Sequence, residues 1–217
     1  MNESNSIISD FFRIGGGLPF TLALAIGGIL IGIFLGALLA VLRYNGIGRW
    51  MINGIVSFLR GTPFVLQLTF IYFVMPKFGL KLNVLWAGIL AFGINSSAYV
   101  AEIFRAGIEN LPKGQFEAAK TLEIPRFYMW KDIILPQVTM NILPILLNEM
   151  IDIIKMTAVI PMIGGIEIMR KAQMVSLIRC DYFLPLCMAA TYYYGLVLLI
   201  EFIGKKIEKR KLYAKNL

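Results

Sequence analysis

The sequence predicts an all-α integral membrane protein with about five transmembrane helices and a short cytoplasmic helix between the third and the fourth. Three observations lead there. Of the 217 residues, 58% are hydrophobic and only 16% charged, whereas soluble domains run near ~45–50% apolar and ~25% charged. Uncharged runs long enough for a span, which takes about 20 residues of helix, recur along the chain. The 21 Lys and Arg outnumber the 13 Asp and Glu, and they gather in alternate connecting segments, as loops held on the cytoplasmic side do. In so apolar a chain the basic balance points to membrane topology and membrane lipid, not to nucleic acid.

No residue from Ile14 to Leu42 is charged, which predicts a first span over 16–42. The run is too long for the apolar core of a signal peptide, and Arg13 is the only cation before it, so a retained span is expected. Gly28, Gly32 and Gly36 recur every four residues along it. Small residues at that interval let helices approach closely, here more as packing within one bundle than as a dimer seam. Arg43, Arg49 and Arg60 then bracket a short amphipathic stretch. Gly61 to Pro76 is uncharged but short, and it can span only if the helix begins earlier, giving 55–76. Leu82 to Ala101 gives a third span over 82–104. A polar segment, 109–132, follows. A fourth apolar run, 133–155, contains Pro136 and Pro144, and a fifth covers 182–204 before a basic tail. No repeat or soluble domain is visible, so residues 1–217 read as one transmembrane domain.

Five spans put the termini on opposite sides. Of the 21 cations, fourteen fall in the segment after span one, the segment after span three and the tail; seven fall in the other set. The positive-inside rule then predicts the tail and the 109–132 insert in the cytoplasm and the N-terminus outside. Histidine is absent, and the two cysteines, Cys180 and Cys187, lie seven apart. That spacing suggests neither a metal site nor a disulfide framework. No nucleophile–base pair stands out, and no cofactor is expected on the chain.

Within the insert, Pro112 and Gly114 form a turn, Glu117 to Leu122 are good helix formers, and Pro125 ends the helix. A helix of two to three turns is marginal alone in water, so it is expected to dock. Ala118 and Ala119 would permit close approach, and Phe116, Phe127, Tyr128 and Trp130 are aromatic anchors. Lying on the membrane surface is the plainer alternative.

The stretch resembles the EAA loop of ABC-transporter permeases: EAA, three residues, Gly, nine residues, I-x-L-P. Here Glu117-Ala118-Ala119 is followed at matching spacing by Glu123 and then Ile133-Ile134-Leu135-Pro136. Glu123 departs from the family glycine, which serves a turn where positive φ is expected. "RGTPFVLQ" (60–67), "AYVAEIFRAGIENLPKGQFEAA" (98–119) and "NEMIDIIKMTAVIPMIGGIEIMRKAQ" (148–173) are similar to three further blocks of the polar amino-acid branch. Met156 and Ala158 depart from the last one. The resemblance covers nearly the whole chain. It implies a second permease subunit, identical or not, a dimer of cytoplasmic ATPase subunits holding ATP and Mg, and an extracytoplasmic solute-binding protein. It also implies that Glu117, Ala118, Ala119 and Glu123 contact the ATPase. No G-x-x-x-x-G-K-[ST] occurs, so ATP is not bound through a P-loop of this chain.

Charges inside spans are costly and default to functional roles. Glu149 and Asp152 lie three apart on one helix face, where either carboxylate could pair with a cationic group of a substrate. Asp152 could instead pair with Lys155. Arg105 could hold a substrate carboxylate or pair with Glu102. Thr62 and Gln67 flank Pro63, where a helix break would free backbone groups for binding, or Gln67 could simply pack at a kink. Asn95, Ser96 and Ser97 could line the path or bond between helices. Two carboxylates lean towards a basic amino acid, with glutamine or another small solute as the alternative. An ATP-independent carrier is disfavoured by the absence of an inverted repeat.

Overall fold

The computed structural model describes residues 3–215, with side chains for 7–207. Among the described residues every regular element is helical. Ten α-helices follow one another: α1 (Glu3–Gly15), α2 (Leu18–Tyr44), α3 (Arg49–Gly61), α4 (Phe64–Thr69), α5 (Val84–Glu109), α6 (Lys113–Thr121), α7 (Arg126–Tyr128), α8 (Leu135–Met156), α9 (Ile168–Arg179) and α10 (Phe183–Lys215). Most cations of the basic tail lie outside the described side chains, as do the first residues of the N-terminus.

The centre of the fold is the pairing of α2 with α5. A Cβ added at Gly28 would lie 2.6 Å from Phe92 Cβ, one at Gly32 would lie 2.7 Å from Ser96 Cβ, and one at Gly36 would lie 2.6 Å from Val100 Cβ. The α5 side returns the arrangement: a Cβ at Gly93 would lie 2.4 Å from Ile31 Cγ2. The glycine stripe therefore faces the bundle interior, as its spacing suggested. Around it Leu24, Leu68, Ala87, Phe92, Ile153, Ile154 and Ile160 form the main core, drawn from α2, α4, α5, α8 and the 3-10 turns after α8.

Among the described residues three helices are long and apolar enough to cross a membrane: Ile7–Tyr44, which runs through α1 and α2, Val84–Glu109 and Phe183–Ile207. The pair Arg49–Gly61 and Phe64–Phe78 passes only as a unit bent by 105°, giving up to four. The stretch expected as a straight span over 55–76 is thus broken. Pro63 has no N–H to donate, and it forces Thr62 into an extended conformation (φ −110°, ψ 144°). Helix α3 folds back and sets Ile52 and Val56 against Ala98 and Ala101. Helix α8 has 22 residues, long enough to cross, but its last two turns carry Glu149, Asp152 and Lys155. Pro144 lies inside it without ending it.

The amphipathic helix α1 was not anticipated as a separate element. It docks on α9 and α10: Ile14 is buried with Ile168, Ala172, Val175 and Met188, Phe11 stacks on Tyr192 at 4.5 Å, and Arg179 pairs with Asp10.

Gly32→Val should destabilise the bundle by about 1–3 kcal/mol through overpacking. Gly54→Ala, on an open face of α3 with nothing within 4 Å, should stabilise by about 0.5–1 kcal/mol. Thermal unfolding of the two variants in detergent checks both signs; equal midpoints would contradict the close α2–α5 contact.

Candidate functional site

Helix α8 positions the charged residues singled out from sequence. Asp152 and Lys155 are both exposed and form an ion pair, Nζ to Oδ1 2.6 Å. Glu149 is half-buried and turned towards α5. Its carboxylate lies beside the buried Ser96 hydroxyl, which makes no hydrogen bond of ordinary geometry, and it also feels the charge of Asp152. Asn141, Asn148, Asp152 and Lys155 are all exposed, and their seven-, four- and three-residue spacing puts them on one helix face. Glu149 is therefore the carboxylate on this helix without an ion-pair partner among the described residues.

At the break before α4, Gln67 is the organising side chain. Its Nε2 donates to Leu59 O and to Thr62 Oγ1, each at 2.8 Å. Thr62 Oγ1 in turn donates to Phe58 O at 2.9 Å, and Asn95 Nδ2 donates to Gln67 Oε1 at 3.0 Å. Carbonyls left over at the end of α3 are thus satisfied by side chains, as backbone away from water must be. Asn95 ties the break to the middle of α5.

At the far end of α5, Glu102 gathers cations from three helices. Arg43 of α2 reaches it at 2.5 Å, Arg105 at 2.7 Å and Arg60 of α3 at 3.9 Å. Arg105 also contacts Glu109 at 2.5 Å, so its guanidinium is occupied by carboxylates of its own helix.

The polar insert forms α6. Glu117 and Ala118 face outward, whereas Ala119 is only 3% exposed, packed with Leu111, Met129 and Ile134. After α6 the chain turns at Glu123, whose φ is +51°. Glu123 N donates to Lys120 O and Ile124 N to Ala119 O, both at 3.0 Å, closing the helix as a left-handed residue does. Glu123 thus adopts the conformation for which a glycine would be expected.

Residues 28–213 match the family described as "binding-protein-dependent transport system inner membrane component". This chain belongs to that family. It is an amino-acid ABC transporter permease, a multi-pass inner-membrane subunit of an import system and not a catalytic one. It is 47% identical over 197 residues to a putative glutamine transport system permease protein, GlnP, of Rickettsia typhi, covering 89% of this chain and 90% of that protein. It is 40% identical to the arginine transport system permease protein ArtQ of Bacillus subtilis, with the same coverage. A crystal structure of an amino acid ABC transporter with histidines matches at a TM-score of 0.87 and 33% identity, over 94% of this chain and 97% of that one. The MetNI methionine ABC transporter, in inward-facing conformations, shares the fold at a TM-score of 0.79 and 19% identity.

Some polar devices of the permease escaped the sequence reading. Gln115 of α6 and Gln137 of α8 exchange side-chain amide bonds, 2.9 and 2.8 Å, and Gln137 also donates to Ile133 O at 2.8 Å. Helix α6 is thereby fastened to the start of α8. Glu167, fully buried, caps α9 by accepting from Met169 N and Arg170 N at 2.8 Å, and it accepts the hydroxyl of Tyr193. Burial pushes its carboxyl above the usual carboxylate range. Glutamate is not among the residues that usually mark an N-cap, so Glu167 had no strong local signature, and the Gln115–Gln137 pairing has none. Among the described residues no group of three or more His, Cys, Asp or Glu is placed to hold a metal.

Gln67→Leu should cost about 1–3 kcal/mol by stranding the carbonyl it serves, read as a lowered unfolding midpoint; an unchanged midpoint would remove Gln67 from its clamping role. Glu123→Gly should stabilise the α6 turn by about 1 kcal/mol, since a left-handed conformation costs a side-chain-bearing residue about that much. With the assembled transporter in liposomes, transport-linked ATP hydrolysis of that variant should stay within about twofold of the parent, the range of a neutral surface change. A large fall would make the acid part of the ATPase contact.

Proposed function

We propose that this permease carries glutamine, or a closely related polar amino acid, along the exposed polar face of α8, with Glu149 receiving the substrate's α-ammonium group. One observation carries the proposal. In a membrane-embedded chain, Asn141, Asn148, Asp152 and Lys155 cannot favourably face lipid, so the face they share is expected to meet a water-filled path or a second permease subunit. Asp152 is already neutralised by Lys155 at 2.6 Å. That leaves one carboxylate, Glu149, which suits an α-ammonium group better than it suits an additional cationic side chain. The similarity to permeases named for glutamine transport, at 46–47% identity, leans the same way. A basic amino acid, the earlier expectation, has the arginine permease relative in its favour but lost the second free carboxylate.

The rest of the transporter follows from this family assignment. Five crossings are proposed: α2, the bent α3–α4 pair, α5, α8 and α10, over the single domain of residues 1–217. The N-terminus lies outside, and α6 and the C-terminus lie in the cytoplasm, as the distribution of cations supports. Helix α6 is the coupling helix. Glu117 and Ala118 face an ATPase dimer that holds ATP and Mg; Ala119 seats the helix on its own chain, and Glu123 sets the exit turn. Because α6 is bonded to α8 through Gln115 and Gln137, displacement of α6 by the ATPase would be passed to the helix bearing Glu149, giving alternating access. An extracytoplasmic solute-binding protein delivers the substrate, and a second permease subunit completes the path. Thr62, Gln67 and Arg105 take structural roles here, holding the α3–α4 break and the Glu102 cluster.

Uptake by proteoliposomes holding the complete transporter tests the substrate site. Glu149→Gln should lower glutamine uptake at least about tenfold, the loss of a charge-assisted hydrogen bond of about 1.5–3 kcal/mol. Asp152→Asn should change it by less than about threefold, as expected for an exposed pair worth under about 1 kcal/mol. Arginine uptake abolished by either variant, with glutamine uptake absent throughout, would restore the basic reading.

A further inference from the structure

An apolar groove runs along the outer face of α2 and ends in a cationic mouth. Its upper part is lined by Leu30, Phe34, Ala37 and Val41. It continues over Ala37 and Val41 to Tyr44, Trp130 and Leu135. The mouth beyond Tyr44 and Trp130 is lined by Asn45, Lys120 and Arg126. From Leu30 to Tyr44 the groove follows about 21 Å of helix at about 1.5 Å per residue, more than the roughly 15 Å of hydrocarbon in one leaflet, half of a ~30 Å core. Tyr44 and Trp130 meet edge to face at 4.7 Å where apolar lining gives way to polar, the level at which aromatic side chains collect in membranes. Neither Lys120 nor Arg126 has an ion-pair partner among the described residues.

We propose that this groove binds an anionic glycerophospholipid, with an acyl chain along α2 and the phosphate at Lys120 and Arg126. The match is one of charge and of length. An acyl chain fits a lining that is apolar for the depth of a leaflet, and a phosphate neutralises two cations that have no ion-pair partner among the described residues. The lipid would touch α2, α6 and the turn into α7 at once, so it would brace the coupling helix against the first span. The inference rests on the proposed reading in needing α2 to cross a bilayer and α6 to lie at its cytoplasmic face, and requires nothing about the substrate.

Native mass spectrometry of the delipidated complete transporter, titrated with dioleoyl phosphatidylglycerol or dioleoyl phosphatidylcholine, is the test. Phosphatidylglycerol should be retained preferentially. Lys120→Gln and Arg126→Gln should each lower its retention about fivefold, and the pair about 25-fold, given the usual attraction per cation at an anionic surface. Lys120→Arg with Arg126→Lys should keep it. Val41→Trp, a lipid-facing substitution that fills the groove, should lower retention of both lipids. Equal retention of the two lipids, or undiminished phosphatidylglycerol binding by the double Gln variant, overturns the proposal. It is equally overturned if adducts form only after the ATPase is stripped away, since the ATPase then owns the mouth, or only on isolated permease chains, since a second copy then covers the groove.

Discussion

The close approach of α2 and α5 is the constraint on which the rest of the permease depends. In a bilayer there is little hydrophobic drive between helices, so association rests on packing and on interhelical polar contacts. The stripe of Gly28, Gly32 and Gly36 lets α5 come close enough that Phe92, Ser96 and Val100 fill the space their missing side chains leave. This contact fixes the rotation of α5. Once fixed, α5 presents Asn95 to the broken second segment, Ser96 to Glu149 of α8, and Glu102 to the arginines at the ends of α2 and α3.

Each of those three contacts solves the same physical problem. Polar groups away from water need partners. At the Pro63 break the partner is a side-chain amide in place of the lost helix ladder. At the end of α5 it is a cluster in which one carboxylate serves guanidinium groups from three helices. On α8 the Ser96 hydroxyl lies beside Glu149, while the ion pair of Asp152 and Lys155 leaves Glu149 as the carboxylate of this helix with no ion-pair partner among the described residues. That difference separates a structural charge from a candidate binding charge more clearly than position along the helix does.

The helix α6 shows how a surface element becomes mechanically attached. Its inner side is a single buried methyl group, Ala119, among Leu111, Met129 and Ile134, and its polar tie is the reciprocal amide pair with Gln137. Ala118 and Glu117 remain outside. The result is a rigid seat on one face and small, open surface on the other.

The sequence alone determined the all-helical membrane character, the stripe of small residues, the family resemblance, and the oddity at Glu123. These are local quantities: apolar run length, residue size at helical spacing, and a turn that wants positive φ. Which neighbour each of these side chains meets was decided only by the tertiary structure. Lys155 takes Asp152, Glu102 takes Arg43 and Arg105, Gln67 serves the break at Pro63, and Ala119 turns inward. The reason is physical. An isolated helix presents its side chains in all directions, and a carboxylate three residues from a cation on the same helix can meet it or turn away. The choice depends on which neighbouring helix crowds or bonds the other group, and that neighbour can lie far along the chain: Arg43 and Glu102 are 59 residues apart, Gln115 and Gln137 are 22.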